Sequence, residues 1–195
     1  MFVTFEGIDG SGKTTQARRL ARRLEREGRD VVSTREPGGT ALGERIRDLL
    51  LAGEEMSPWA EAALFAAARA ELVARVVRPA LERGADVVCD RYVDSSLAYQ
   101  GITRGLGVEA VMDLNRAAIG GLLPDRTFLL LLEPEEAARR SGAGDRIERE
   151  GLWAELDRAY RELAALFPER IVAVDGALPP GEIAALVRQE LAARA

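Results

Sequence analysis

The 195-residue chain has no histidine, a single lysine and a single cysteine. Without histidine there is no Ser-His-Asp or Cys-His pair, no His-ligated zinc and no imidazole to act as a base at neutral pH. One cysteine, Cys89, can form neither an internal disulfide nor a Cys-rich metal cluster. Preceded by Val87 and Val88, it reads as a small buried hydrophobe, in keeping with a reducing compartment. No apolar run approaches the roughly 18 residues that span a bilayer. The opening Met1-Phe2-Val3-Thr4-Phe5-Glu6 also lacks the basic segment and long apolar stretch of a signal peptide. These absences predict a cytoplasmic protein with no membrane partner, whose catalysis draws on carboxylates, hydroxyls, arginines, one lysine or a metal. Chemistry that works by positioning charge is favoured.

Of the 27 basic residues, 26 are arginine and one is Lys13; 32 acidic residues leave a net charge of −5. That balance argues against a nucleic-acid partner while leaving room for a local basic cleft. Arg18, Arg19, Arg22, Arg23 and Arg26 flank an Ala17, Leu20, Ala21, Leu24 stripe, so they read as the solvated side of an amphipathic helix.

Length suits one domain over residues 1–195, with a small insert. Short apolar or β-branched runs predict strands at 2–6, 31–34, 87–90, 126–132 and 171–175. Helical spacing of apolar residues predicts helices at 14–27, 41–51, 58–83, 108–119, 152–167 and 181–195. Strand and helix alternate, and the third strand is continuously apolar, as expected when both sheet faces are covered. The fold class is therefore α/β, with a five-stranded parallel sheet flanked by helices in three layers. Ligands of such sheets bind beyond the carboxyl ends of the strands. Arg139-Arg140-Ser141-Gly142-Ala143-Gly144-Asp145-Arg146, small residues among arginines, is expected to be a flexible charged loop.

Directly after the first strand comes Gly7-Ile8-Asp9-Gly10-Ser11-Gly12-Lys13-Thr14, which matches G-x-x-x-x-G-K-[ST] and enters a helix. Its glycines let backbone N–H groups wrap a phosphate chain and the helix N-terminus adds positive potential. Lys13 reaches the β- and γ-phosphates, and the Thr14 hydroxyl ligates Mg²⁺. The fold is thus of the P-loop NTPase type. A guanine-specific GTPase normally reads its base with an Asn-Lys-x-Asp motif, which a chain whose only lysine is Lys13 cannot contain. A motor ATPase would be expected to end its Mg²⁺-side strand in Asp-Glu, whereas Cys89-Asp90-Arg91 stands here. An arginine after the aspartate suits gripping phosphate, and so transfer to a bound acceptor, better than activating water.

Four further segments follow strands or face them: Arg35-Glu36-Pro37-Gly38-Gly39-Thr40, the Phe65 and Arg69 pair, Asp90-Arg91-Tyr92-Val93-Asp94-Ser95-Ser96-Leu97-Ala98-Tyr99-Gln100-Gly101, and Asp145-Arg146-Ile147-Glu148. In order behind the P-loop, they resemble the thymidylate kinase family, nucleoside-monophosphate kinases that make dTDP from dTMP and ATP. The resemblance covers essentially the whole chain. It implies that Gly7, Ile8, Asp9, Gly10, Ser11, Gly12, Lys13, Thr14 and Thr15 bind ATP, with Mg²⁺ on Thr14 and, mainly through water, on Asp90. It further implies that Asp9 contacts the acceptor's 3′-hydroxyl and that Arg35 clamps the acceptor phosphate. Phe65 stacks on thymine, Arg69 hydrogen-bonds the base edge, and Arg91 bridges the phosphates. Ser96 and Gln100 line the acceptor site, and Tyr99 lies under the deoxyribose where a 2′-hydroxyl would not fit. A cis peptide at Glu36-Pro37 and a homodimer are implied too.

The arginine loop resembles a short mobile lid, at about 139–150, that closes over ATP. One branch of the family carries an assisting arginine in the P-loop. Here Gly10 stands at that position, so the lid is left to supply the cation. Arg146 matches best, but Ser141 replaces an arginine of the usual pattern, which keeps Arg139, Arg140 and Arg149 open. Read without the family, Asp9 is a solvated loop aspartate, Arg35 a surface ion-pair partner, Phe65 a core residue, Asp90 a helix cap and Tyr99 a structural tyrosine. Two rival functions share the scaffold: another P-loop nucleotide or deoxynucleoside kinase, and a catalytically silent nucleotide sensor. A deoxynucleoside acceptor would need a base and have no use for Arg35. A sensor would be expected to have lost acceptor segments that here all stand.

Overall fold

The computed structural model describes residues 1–52, 55–141 and 152–193. Five strands, β1 (Phe2–Glu6), β2 (Val31–Arg35), β3 (Asp86–Asp90), β4 (Arg126–Leu131) and β5 (Ile171–Asp175), form one parallel sheet in the order β2-β3-β1-β4-β5. Helices α1 (Lys13–Arg26), α2 (Ala41–Leu51) and α3 (Pro58–Leu72) precede β3. A π-helical stretch at Val73–Val77 joins α3 to the short α4 (Arg78–Glu82). After β3 come α5 (Val93–Ser96) with a π-helical continuation at Leu97–Thr103, and α6 (Val108–Ile119). Helices α7 (Pro134–Ser141), α8 (Trp153–Leu166) and α9 (Pro180–Ala192) complete the described chain.

The alternation of side chains along the central strands splits the core into two layers. On one face Val3, Phe5, Val88, Phe128 and Leu130 pack against Ala17, Leu20, Ala21 and Leu24 of α1 and against Ile183 and Val187 of α9. On the other, Phe2, Val87, Cys89 and Leu129 meet α3, α5, α6 and α8. Each fully buried leucine contributes roughly 2 kcal/mol. Cys89 is buried, and burial pushes its thiol well above its ordinary value, as expected of an inert core position.

The five predicted strands and the parallel sheet are found, with shifts of one residue at some ends. Three helical expectations change. The single helix expected over 58–83 is broken: Pro79 has no N–H to give back to the preceding turn, and the chain widens into a π-helical stretch just before it. The segment after Asp90 is helical from Val93 to Thr103, a region too short and mixed for periodicity to reveal. Of the expected flexible arginine loop, residues 139–141 instead end helix α7. Position 146, with the rest of the lid, lies outside the described residues.

Because β1 is followed by β2 across β3, while β3 is followed by β4 across β1, the sheet's connections diverge between β1 and β3. There the strand ends are tied together: the Arg91 N–H donates to the Phe5 carbonyl (2.9 Å) and the Glu36 N–H to the Asp90 carbonyl (2.9 Å). The crevice at a topological switch point is the place an open α/β sheet offers a ligand.

Candidate active site

A cavity of about 590 Å³ opens at this point, bounded by the P-loop, the turn after β2, the side of α3, the segment after β3 and the end of α7. Of the residues singled out in the sequence, Asp9, Gly10, Gly12, Lys13, Thr14, Thr15, Arg35, Phe65, Asp90, Arg91, Ser96, Tyr99 and Gln100 line it. Gly7, Ile8 and Ser11 shape the loop from behind, and Arg69 lies one layer deeper. Glu36, Pro37, Arg47, Leu51, Ser95 and Arg140 also line the wall. Glu36, Pro37 and Ser95 stand inside the segments read from the sequence without a site role assigned there, and nothing in the sequence marks Arg47 and Leu51 apart from their neighbours.

The P-loop is built around close approaches. A Cβ on Gly7 (φ 133°) would stand 2.4 Å from the Leu130 carbonyl oxygen, and one on Gly10 (φ 77°) 2.5 Å from that of Ala137 on α7. Gly10 thus has no room for any side chain, which is a physical reason for an arginine to come from elsewhere. Arg140, one of the arginines left open by the sequence, lines the cavity, donates to the Gly176 carbonyl (3.1 Å) and pairs with Glu136 (2.7 Å). Arg139 turns outward, paired with Glu136 and 73% exposed.

Lys13 is 5% exposed and donates to the Ile8 carbonyl (2.8 Å) and to Asp9 Oδ1 (3.0 Å). Burial first, and Arg91 second, push its pKa down, with Asp9 and Asp90 acting against them. The same Asp9 oxygen accepts from the Arg91 guanidinium. One carboxylate therefore holds two cations side by side under the cavity. This explains an acidic side chain inside an anion-binding loop, where alone it would oppose the positive potential.

Thr14 and Asp90, from α1 and β3, meet at 2.5 Å, hydroxyl to carboxylate. Two hard oxygens at the cavity's edge suit Mg²⁺, which keeps several waters and draws further ligands from phosphates. Among the described residues no group of three or more acidic, Cys or His side chains could hold a metal. The donor set therefore fits a cation that arrives with its nucleotide.

On the opposite wall, Arg35 reaches both oxygens of Glu44 (3.0 and 2.9 Å) and is 54% exposed. Such an exposed pair is worth little, at most about 1 kcal/mol, and yields readily to a phosphate. Arg47 adds a second cation, donating to the Pro37 carbonyl (3.1 Å) beyond the cis Glu36-Pro37 bond. Tyr99 lies beneath Arg91, whose guanidinium carbon is 5.5 Å from the ring centre, and Phe65 forms an apolar side.

Arg69 is 1% exposed. It donates to Glu36 Oε2 (2.7 Å), Ser96 Oγ (3.1 Å), the Tyr92 carbonyl (3.0 Å) and Asn115 Oδ1. Its guanidinium knits the cavity's floor together. The other Glu36 oxygen, Oε1, is buried without a hydrogen-bond partner among the described residues. Burial outweighs Arg69 and pushes the Glu36 carboxyl up to about 7. A carboxyl whose folded pKa is raised contributes stability that is full below its unfolded pKa, near 4.5, and lost as pH rises through 7. Glu36→Gln should therefore flatten the fall in unfolding free energy between about pH 4.5 and 7 by about 3 kcal/mol. Urea unfolding at pH 5 and 7.5 measures this, and identical slopes in the two proteins would refute it.

A model of the thymidylate kinase family matches residues 5–187. The chain is 52% identical over 189 residues to a thymidylate kinase of Synechococcus sp. (strain JA-3-3Ab), covering 96% of this chain and 93% of that protein. It is 49% identical over 195 residues to a thymidylate kinase of Symbiobacterium thermophilum, covering 97% and 91%. A crystal structure of thymidylate kinase from Ehrlichia chaffeensis superposes with a TM-score of 0.82 at 32% identity, covering 98% of both chains.

Proposed function

Because the chain belongs to the thymidylate kinase family, it phosphorylates dTMP with ATP, giving dTDP and ADP, and we propose that the cavity between the ends of β1, β2 and β3 carries that transfer. The observation that supports this best is Asp9, which holds Lys13 of the donor loop and Arg91 of the acceptor segment on one carboxylate. A phosphoryl group moving between two nucleotides passes over that pair.

The reaction breaks the bond between the γ-phosphorus and its bridging oxygen and forms one to an oxygen of the dTMP phosphate. The nucleophile is anionic on arrival, so no base is required, and a chain without histidine loses nothing. Lys13 and Arg91, joined by a lid arginine that is Arg146 on the family pattern and for which Arg140 at the cavity wall stays open, bear on the phosphoryl oxygens as charge spreads over them. Thr14 and, mainly through water, Asp90 would hold Mg²⁺, which would supply positive charge to the phosphates. Arg35, with Arg47 beside it, binds the dTMP phosphate. Phe65, Tyr99, Ser96 and Gln100 enclose the nucleoside, and the Tyr99 ring occupies the space a 2′-hydroxyl would need. Arg69 reaches the base only by exchanging one of its present partners, so its larger part is to hold the floor.

The whole chain acts as one kinase domain in this reading, with its lid at about 139–150. A homodimer comes with the family resemblance and a cytoplasmic location with the sequence's composition; no described helix is long and apolar enough to cross a membrane. Coupled ADP release with MgATP and a panel of nucleoside monophosphates tests the assignment. Turnover restricted to dTMP and dUMP is expected, and none above background with any acceptor would return the nucleotide-sensor reading.

A further inference from the structure

Behind the cavity, four side chains from three distant parts of the chain meet: Glu6 at the end of β1, Arg91 and Ser95 after β3, and Tyr160 in the middle of α8. Glu6 is fully buried and accepts four hydrogen bonds, from the N–H groups of Tyr92 (2.7 Å) and Ser95 (3.2 Å) and from the hydroxyls of Ser95 (2.6 Å) and Tyr160 (3.1 Å). Burial first, and Asp94 second, push the Glu6 carboxyl's pKa up, with Arg91 and the Ser95 and Tyr92 donors acting against them; as a carboxylate it accepts from all four donors at once. The two hydroxyls also lie 3.1 Å from each other; when both donate to the Glu6 carboxylate, both oxygens are left to accept. Arg91 uses them: its NH1 donates to Ser95 Oγ and to Tyr160 Oη, each at 3.1 Å, and to the Gly7 carbonyl at 3.1 Å.

Arg91 is also the one described non-glycine residue with a positive φ, 67°. Such a backbone costs energy for any residue with a Cβ and persists where its surroundings over-determine it. Here those surroundings are the hydroxyl pair on one side and the Tyr99 ring on the other. The Tyr160 ring meets that of Tyr99 edge to face, with centres 6.3 Å apart. The ring and the hydroxyl of Tyr160 thus do separable things: one packs, the other aims a guanidinium.

We infer that Tyr160 is a positioning residue for phosphoryl transfer, its hydroxyl, oriented by the Glu6 carboxylate, fixing the Arg91 guanidinium against the reacting phosphates. The inference rests on the dTMP kinase reading of the cavity. No motif in the sequence marks Tyr160, and it does not itself line the cavity. It acts only through Arg91, in the way outer-shell partners hold a ligand in geometry.

The test is a double-mutant cycle in kcat. Tyr160→Phe keeps the ring and removes the hydroxyl. It should lower kcat about tenfold, with KM for ATP changed less than twofold and Tm within a few degrees of wild type. In an Arg91→Lys background, whose ammonium cannot span the same acceptors, adding Tyr160→Phe should lower the rate less than twofold further. Single-turnover measurement with enzyme in excess keeps the slow variants readable. Ser95→Ala, which removes the other hydroxyl on the same N–H group, should show the same dependence on Arg91 and serves if Tyr160→Phe melts early. A merely structural tyrosine would give equal losses in both backgrounds; that result, or wild-type kcat in Tyr160→Phe, overturns the inference. Wild-type turnover of dTMP is the separate control: its absence would overturn the functional reading instead.

Discussion

Lys13→Met is expected to lower kcat on the order of a thousandfold, about 4 kcal/mol of transition-state stabilisation, while leaving the fold intact. The two halves of that expectation come from the same feature. Lys13 sits buried under the phosphate site, and its burial holds the pKa down, so its ammonium costs the resting protein stability. Methionine fills similar space without that cost, and Asp9 keeps Arg91 as a partner. Thermal melting should show an unchanged or raised Tm, and steady-state kinetics with dTMP and MgATP should show the loss mainly in kcat. A variant within tenfold of wild-type kcat would remove Lys13 from the transferring step.

Arg69→Met should be the most damaging single change to stability. It strips the cation from Glu36, whose carboxyl stays buried, and frees acceptors on Ser96, Asn115 and Tyr92. Breaking a buried ion pair from one side typically costs about 3–5 kcal/mol. In a chain of this size that is a Tm loss of order 10 °C. The carboxyl of Glu36, already raised to about 7, would go higher without Arg69, so the loss should be larger at pH 8 than at pH 5. Glu36→Gln added to Arg69→Met should recover part of the Tm, since no uncompensated charge is then left behind. A loss under 3 °C, or no recovery in the double variant, would show that the pair does not hold the floor.

The parts legible in the sequence are those fixed by local chemistry. The P-loop shows because a Cβ at Gly7 or Gly10 would stand only 2.4–2.5 Å from a carbonyl oxygen, and the strands show because both sheet faces are covered. The acceptor segment was recognisable as a string of residue types, yet its helix was not: α5 has four residues, too few for a period of 3.6 to repeat. Tyr160 stayed invisible for a different reason. Leu156, Ala159, Tyr160 and Leu163 make an ordinary apolar stripe, and nothing in that spacing records where a hydroxyl points. Arg47 and Arg69 are two arginines among 26; only the fold separates the one at the cavity's wall from the one sealed beneath it.

The carbonyl of Ala137 over Gly10 also bears on how such kinases can change through time. A lineage with this packing cannot acquire a P-loop arginine at that position by one substitution, because the first atom of any new side chain would land 2.5 Å from the backbone of α7. Helix α7 would have to retreat first, and its own arginine, Arg140, would lose its hold on Gly176 as it went. Position 10 and the register of α7 on the loop are therefore one structural choice: a side chain at the first displaces the second.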